Sequence, residues 1–405
     1  MNLKEKEKEF ILQTYKRLPV EVDHTDGVYV YGKDGKKYLD FFGGIAVNAL
    51  GYNDTRVKAA IINQVNRYMH MSNIFYMDVQ IELAELICKL SGYSKIFFTN
   101  SGTEAVEAAI KLSRRWGSKE NKVKLFALTN SFHGRTMGAL SLTDRPKYRH
   151  GYEPFLPSVD HITFNNVSEL REKIDSKTAA VFIEFVQGEG GVNVVSKEFV
   201  EELFALRDKH KFLVVADEIQ AGIYRTGRFF AFEHYGVHPD LITVAKPLGG
   251  SLPLGGLLVD SKYVDVLDYG AHGTTFGGNP VSCAAGLATL NDLSENNIGE
   301  HVTVVGGYLK QRLLEFQTKH PDFISEIRGM GLMIGAECKT DCGDFVNQLL
   351  SNGVLVNCTN GNVIRILPPL VIQQEHVDVF MSAFQKTFFD VHSATSKDFA
   401  GGLAN

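Results

Sequence analysis

Two charged residues stand at the ends of apolar runs. Asp217 closes Phe212-Leu-Val-Val-Ala216, and Lys246 closes Leu241-Ile-Thr-Val-Ala245. Runs of that length suit strands buried on both faces of a parallel sheet, which would deliver each charge to the C-terminal rim, where open α/β sheets bind ligands. An amine held there by the fold can form a Schiff base with an aldehyde, and a carboxylate can keep a pyridinium nitrogen protonated. Together they are the pair that pyridoxal phosphate needs from its protein.

A phosphate also needs a cradle. Lys95-Ile-Phe-Phe-Thr99 reads as a strand and Asn100 to Gly102 as a turn. A helix then begins near Thr103, with Glu104 and Glu107 early in it and Ala105, Val106, Ala109, Ile110 and Trp116 at helical spacing. Free N–H groups at that start, aided by the Ser101 and Thr103 hydroxyls, would hold a dianion. Taken alone, Ser and Thr in this place are also ordinary helix caps.

The remaining motifs are Asn130-Ser-Phe-His-Gly-Arg-Thr136, Ile183-Glu-Phe-Val-Gln-Gly-Glu-Gly-Gly191, Ala216-Asp-Glu-Ile-Gln220, Ala245-Lys-Pro-Leu-Gly-Gly250 and His272-Gly-Thr-Thr-Phe-Gly-Gly-Asn-Pro280. In this order and spacing, the chain from about residue 10 to residue 390 resembles the class III (ω-amino) aminotransferases. Within that family, Phe42-Gly-Gly-Ile-Ala-Val-Asn-Ala-Leu-Gly51 and Met71-Ser-Asn-Ile-Phe-Tyr76 look most like the N-acetylornithine aminotransferases.

The resemblance implies a cofactor, pyridoxal 5′-phosphate, and a role for each matching residue. Lys246 is expected to bond the cofactor and then to move the substrate proton as a base, while Asp217 pairs with the ring nitrogen. Ser101, Gly102 and Thr103 are expected at the phosphate, Phe132 and Ile219 on the two ring faces, and Gln220 on the ring oxygen, with Glu218 carried as a member of its motif. Arg365 should hold the α-carboxylate of glutamate and 2-oxoglutarate, and Arg135 that of an N-acylated ornithine, because guanidinium forks bind carboxylates bidentately. Glu189 should pair with Arg365 when no dicarboxylate is present and swing aside when one arrives, since an unpaired buried cation is costly. Thr275 is expected to reach the phosphate of a partner chain's cofactor and Thr274 to touch substrate, which makes the active form a homodimer. His133 is expected to line the pocket rather than transfer protons.

Substrate choice rests on fewer residues. Ornithine aminotransferases carry a tyrosine where Gly44 stands, three residues before Val47-Asn48, and its absence leaves room for an acyl group. The expected reaction moves the δ-amino group of N-acetylornithine to 2-oxoglutarate, a step of arginine biosynthesis. Succinylornithine, ornithine, 4-aminobutyrate and succinyl-diaminopimelate remain alternative donors. An aminomutase of the same fold and a non-catalytic binding protein are alternatives of other classes. The chain departs from the family pattern at Phe185, Ala221, Tyr224 and Gly51-Tyr-Asn-Asp-Thr55, and Tyr52, Phe185 and Tyr224 could narrow the pocket or its entrance.

The elements that must position these residues follow from the apolar pattern. Between residues 55 and 280, runs such as Phe126-Ala-Leu, Ala180-Val-Phe-Ile and Gly256-Leu-Leu-Val alternate with helical stretches, the pattern of an α/β fold with a mainly parallel sheet. The resemblance makes this fold type I of the pyridoxal-phosphate transferases, a large domain with a seven-stranded-type sheet flanked by helices and a smaller α+β domain from both termini. The expected divisions are 1–50 (small domain), 51–285 (large cofactor domain), 286–393 (rest of the small domain) and 394–405 (a loose tail). Gly329 to Gly335 and Val363 to Ile366 read as strands, and Val377, Phe380, Phe384 and Phe388 line one side of a final helix.

Composition sets the outer bounds. The 405 residues suit a large domain with a smaller one, and 44% hydrophobic with 22% charged residues suit a globular chain. A net charge of −5 without Lys/Arg blocks offers nucleic acid no footprint. The charged start Met1-Asn-Leu-Lys-Glu-Lys-Glu-Lys-Glu9 and the lack of a membrane-length apolar run point to a cytoplasmic address. Cys88, Cys283, Cys338, Cys342 and Cys358 are odd in number and scattered, so free thiols and no metal site are expected.

Overall fold

A seven-stranded sheet carries the structure, in the spatial order Lys95–Thr99, Gly255–Val259, Leu241–Val244, Leu213–Asp217, Thr178–Ile183, Lys124–Leu128, Val159–Ile162. The computed structural model describes the backbone of residues 2–401 and the side chains of residues 2–391. Gly255–Val259 is antiparallel to both its neighbours, and the other strands run the same way. Along Leu213–Asp217, Val214 and Ala216 join one apolar core while Leu213 and Val215 join another. Val181 and Ile183 alternate likewise with Ala180 and Phe182. Side chains two apart share a face, so each of these uninterrupted apolar runs fills both sides of the sheet.

Register decides where the charges emerge. Asp217 pairs with Thr243 across the parallel ladder, so Lys246, three residues beyond Thr243, leaves the sheet at the same rim. The strand Lys95–Thr99 feeds the helix Gly102–Lys119, whose N-cap is Ser101.

The two ends of the chain meet in a second sheet. Val22–Asp26, Tyr29–Gly32 and Lys37–Asp40 form an antiparallel meander, and Val354–Leu355 from the C-terminal third adds parallel to Lys37–Asp40. A further sheet orders Ile324–Met330, Met333–Cys338, Val363–Ile366 and Asn357–Thr359. The stretch Gly329 to Gly335 is therefore a hairpin rather than one strand. Gly331 turns it at φ +54°, and a Cβ there would come within 2.6 Å of the Thr226 carbonyl carbon. Glycine alone meets both conditions without strain.

The final helix, Gln374–Gly401, buries Val377, Phe380, Phe384 and Phe388. Phe384 meets Phe316 edge-on at 5.1 Å and Phe345 at 4.9 Å. The helical backbone runs on to Gly401, through the start of the tail expected to be loose from residue 394. No proline or glycine interrupts positions 394 to 400, so a packed helix can propagate there. Residues 402–405 lie outside the described residues.

The cysteines also correct the expectation of free thiols. Cys342, which caps the helix Gly343–Ser351, is disulfide-bonded to Cys358 on the strand Asn357–Thr359, while Cys88, Cys283 and Cys338 are free. A separation of 16 in sequence hid the pair. Only the turn of the chain around the helix brings the two close. Among the described residues there is no cluster of side chains suited to a metal ion, and no helix is long and apolar enough to cross a membrane.

Replacing Phe384 by alanine removes a fully buried ring from this aromatic cluster and is expected to cost about 3–5 kcal/mol. Urea denaturation measures it. A loss below about 1 kcal/mol would show that the final helix does not pack as described.

Candidate active site

Lys246 and Asp217 face one cavity of about 470 Å³ at the C-terminal rim of the sheet. Its wall also carries Ser101, Gly102, Thr103, Phe132, Arg135, Glu189, Ile219 and Gln220, so the structure gathers most of the residues singled out in the sequence. Burial pushes the Lys246 ammonium down to about 8, the Arg365 charge acting in the same sense and the Glu189, Asp217 and Glu184 charges opposing it. The Lys246 backbone sits at φ +49°, a left-handed conformation costly for a residue with a Cβ and concentrated at functional positions.

The helix start is built as a cradle. Ser101 Oγ accepts from Glu104 N at 3.4 Å, leaving the N–H groups of Gly102 and Thr103 where no intrahelical carbonyl can reach them. Thr103 Oγ1 accepts from the N–H groups of Arg135 and Thr136, at 3.2 and 3.3 Å, which fastens the loop after Phe132 to the helix. Close approach explains the glycines: a Cβ on Gly102 would lie 2.8 Å from Ile219 Cδ1, and one on Gly134 would collide with Thr103 Oγ1.

Beneath the cavity lies a buried acid and base cluster. His133 Nδ1 bonds Asp217 Oδ2 at 2.7 Å, and Asp217 Oδ1 accepts from Ile219 N at 3.2 Å. Burial works against a charged His133, but the Asp217 hydrogen bond and the Asp217 and Glu184 charges outweigh it and raise its pKa. Glu184, itself raised chiefly by burial, accepts from Phe132 N at 3.0 Å and Gly188 N at 3.3 Å. His133 is therefore more than lining: it clasps the carboxylate under the site. The sequence placed it beside Phe132 but could not show that its partner lay on another strand. Glu184 went unnoticed within its own motif.

Two arginines sit apart. Arg365, buried on the strand Val363–Ile366, is ion-paired with Glu189 through Nη1, while its Nε donates to Asn357 Oδ1 at 3.2 Å. Burial raises the Glu189 carboxyl, but the Arg365 charge and hydrogen bond, then Lys246 and Arg145, bring it below its ordinary value. Glu189 rides on the loop between the short strands Val186–Gln187 and Asn193–Val194. Arg135 is exposed at the mouth, its guanidinium stacked 3.6 Å above the Tyr148 ring, a support that no sequence signal announced.

Several expectations land elsewhere. Glu218 turns away from the cavity and accepts from the N–H groups of Ala231 at 2.9 Å and Phe232 at 3.1 Å. Neighbours along an extended chain point to opposite sides, so it cannot share the cavity with Asp217. Burial raises it to about 8. Thr274 touches the site only through Asn100, whose Nδ2 donates to its Oγ1 at 3.2 Å, and Thr275 is exposed away from the cavity of its own chain. Tyr52, Phe185 and Tyr224 do not narrow the pocket. Tyr52 donates to Asp40 at 2.9 Å, Phe185 packs on Tyr235, and Tyr224 packs on Phe229. Gly44 is absent from the cavity wall as well; Val47 is the lining residue of that segment.

A desolvated amine opposite a clasped carboxylate, beside open helix N–H groups, suits a pyridoxal-phosphate enzyme that handles amino groups. Residues 11–388 match the family described as Aminotransferase class-III, and the chain belongs to it. An acetylornithine aminotransferase of Methanocaldococcus jannaschii is 44% identical over 95% of this chain and 97% of its own, and one of Aquifex aeolicus is 41% identical over 93% and 99%. Among solved structures, the ornithine aminotransferase of Toxoplasma gondii superposes with a TM-score of 0.92 at 32% identity, covering 96% of this chain and 95% of that one. The cofactor is pyridoxal 5′-phosphate, and the fold is that of the type I pyridoxal-phosphate enzymes.

The amine titration carries a pH signature. Below about pH 8 Lys246 is protonated and cannot attack an aldehyde; above it the amine is free. Covalent uptake of pyridoxal phosphate by the apoprotein, followed by absorbance, should accelerate as pH rises toward about 8 and then level off. A rate still climbing near pH 10 would mean an ordinary solvated lysine.

Proposed function

We propose that the enzyme transfers the δ-amino group of N-acetylornithine to 2-oxoglutarate, giving N-acetylglutamate 5-semialdehyde and glutamate. The observation that carries this reading is the pairing of one buried amine with two separate guanidinium groups, one exposed and one masked by Glu189. A substrate whose carboxylate is remote from its reacting amine suits Arg135 at the mouth. A dicarboxylate suits Arg365 once Glu189 leaves it. The names of the relatives favour N-acetylornithine as donor, and ornithine is the second reading because a solved neighbour bears that name.

The roles follow the geometry. Ser101, Gly102 and Thr103 would hold the phosphate, Phe132 and Ile219 would flank the ring, and Gln220 would meet the ring oxygen. Asp217, held by His133, would keep the ring nitrogen protonated, which lets the bound cofactor act as an electron sink for the substrate carbon. The Lys246 amine, neutral above about pH 8, would take the proton from that carbon and return it one position away. Glu218 belongs to the framework that holds the motif, through its bonds to Ala231 and Phe232.

The homodimer is part of the proposal. Ile74, Phe75, Tyr76 and Phe276 are exposed large apolar side chains near Thr275, and Asn73 Nδ2 ties their segments together by donating to the carbonyls of Thr274 at 3.3 Å and Gly277 at 3.1 Å. Exposed large apolar side chains on two linked segments favour burial against a second copy. Thr275 would then complete the partner's phosphate site, and Thr274 would approach substrate. We also assign the enzyme to the cytoplasm and divide it at residues 50 and 285, with 1–50 and 286–393 around the cofactor domain, because their strands share a sheet.

A donor panel tests the substrate. With excess 2-oxoglutarate, N-acetylornithine is expected to exceed N-succinylornithine, ornithine, 4-aminobutyrate and succinyl-diaminopimelate in kcat/KM, by about tenfold or more over ornithine. Ornithine ahead of N-acetylornithine would replace this reading with the second. Lys246→Ala should abolish turnover, and Arg365→Gln should raise KM for 2-oxoglutarate far more than for the amine donor, in steady-state assays.

A further inference from the structure

The loop before Tyr148 carries a third arginine whose charge reaches Glu189. Arg145 is the N-cap of the short helix Pro146–Arg149, and its carbonyl accepts from Tyr148 N at 2.8 Å and Arg149 N at 3.2 Å. The preceding Asp144 is fixed to the segment that leads into Phe132: its carboxylate accepts from Asn130 N at 3.1 Å, and its own N–H donates to Ser131 Oγ at 3.4 Å. Asn130 in turn presses on the loop that carries Glu189, since a Cβ on Gly190 would lie 2.8 Å from the Asn130 carbonyl oxygen. The segment that carries Arg145 is thereby tied, through Asn130, to the loop that carries Glu189. Its Nη1 is buried and makes no hydrogen bond, and its charge already helps to keep the Glu189 carboxyl ionised.

A buried guanidinium nitrogen without an acceptor is costly, and so is a carboxylate displaced from its only ion pair into a partly closed cavity. The two costs cancel if the groups meet. We propose that Arg145 is the alternate counter-ion of Glu189: when the carboxylate of a dicarboxylic substrate takes Arg365, Glu189 turns onto Nη1 of Arg145. This rests on the reading of Arg365 and Glu189 given above and adds the destination of the displaced acid. Arg145 is then a positioning residue for the dicarboxylate half of the cycle, acting through Glu189 and not on the substrate. The N-acylornithine half, during which Glu189 stays on Arg365, does not use it.

Single-turnover kinetics of the holoenzyme separate the two halves. Arg145→Gln should weaken apparent binding of 2-oxoglutarate and glutamate by about tenfold and leave the N-acetylornithine half-reaction within about twofold. In a Glu189→Gln background, Arg145→Gln should add nothing to dicarboxylate binding, because the acid that needs a destination is gone. An equal loss in that background would show Arg145 binding the ligand directly and would overturn the proposal. Arg145→His guards against a misfolded glutamine variant: its dicarboxylate affinity should be higher at pH 6 than at pH 8, following the imidazole charge, and a flat profile overturns the proposal. Glu189→Gln alone separates the two levels of inference. If it leaves the preference between 2-oxoglutarate and N-acetylornithine unchanged, the gate reading and this inference fail together. If it changes the preference while Arg145→Gln has no effect, only this inference fails.

Discussion

The site depends on keeping water from one amine. Lys246 ends a strand whose residues are buried on both faces of the sheet, and it enters the cavity through a left-handed turn that the surrounding packing must hold against its own preference. Desolvation brings its pKa to about 8, near neutrality, where an amine can be both nucleophile and base. The nearby carboxylates work against that shift, since each favours the ammonium. The arrangement therefore needs every acid near the amine to be engaged elsewhere.

Each acid does have another engagement. Asp217 bonds His133, Glu184 accepts backbone N–H groups from Phe132 and Gly188, Glu189 pairs with Arg365, and Glu218 faces away onto Ala231 and Phe232. Similar side chains thus differ in protonation and partner because their environments differ. The pairing of Glu189 with Arg365 joins a loop beside the cavity to a strand from the C-terminal third.

That contact is held by the smaller sheets. Asn357 accepts from Arg365, and the Thr359 hydroxyl donates to the Glu189 carbonyl at 3.0 Å, so one short strand steadies both partners. Cys358 lies between these two residues and is bonded to Cys342. In that region Phe384 of the final helix contacts Phe316, Phe345 and Phe380, and all four join the same apolar core as Val181 and Val214 of the large sheet.

Local patterns in the chain determined six of the seven strands of the main sheet, missing the edge strand Val159–Ile162, together with the helix start near Gly102 and the presence of a lysine and an aspartate at one rim, because burial on two faces writes uninterrupted apolar runs and a helix start writes its cap. The family resemblance singled out Arg365 and Glu189 and expected them to pair, as they do. Only the tertiary structure decided the partners of other groups. The clasp of His133 on Asp217 spans 84 residues. The stacking of Arg135 on Tyr148, the outward turn of Glu218 and the disulfide of Cys342 with Cys358 were settled the same way. The physical reason is range: apolar periodicity is set by neighbours a few residues away, whereas an ion pair or hydrogen bond forms between whatever polar groups the packed sheet and its connections bring within about 3 Å.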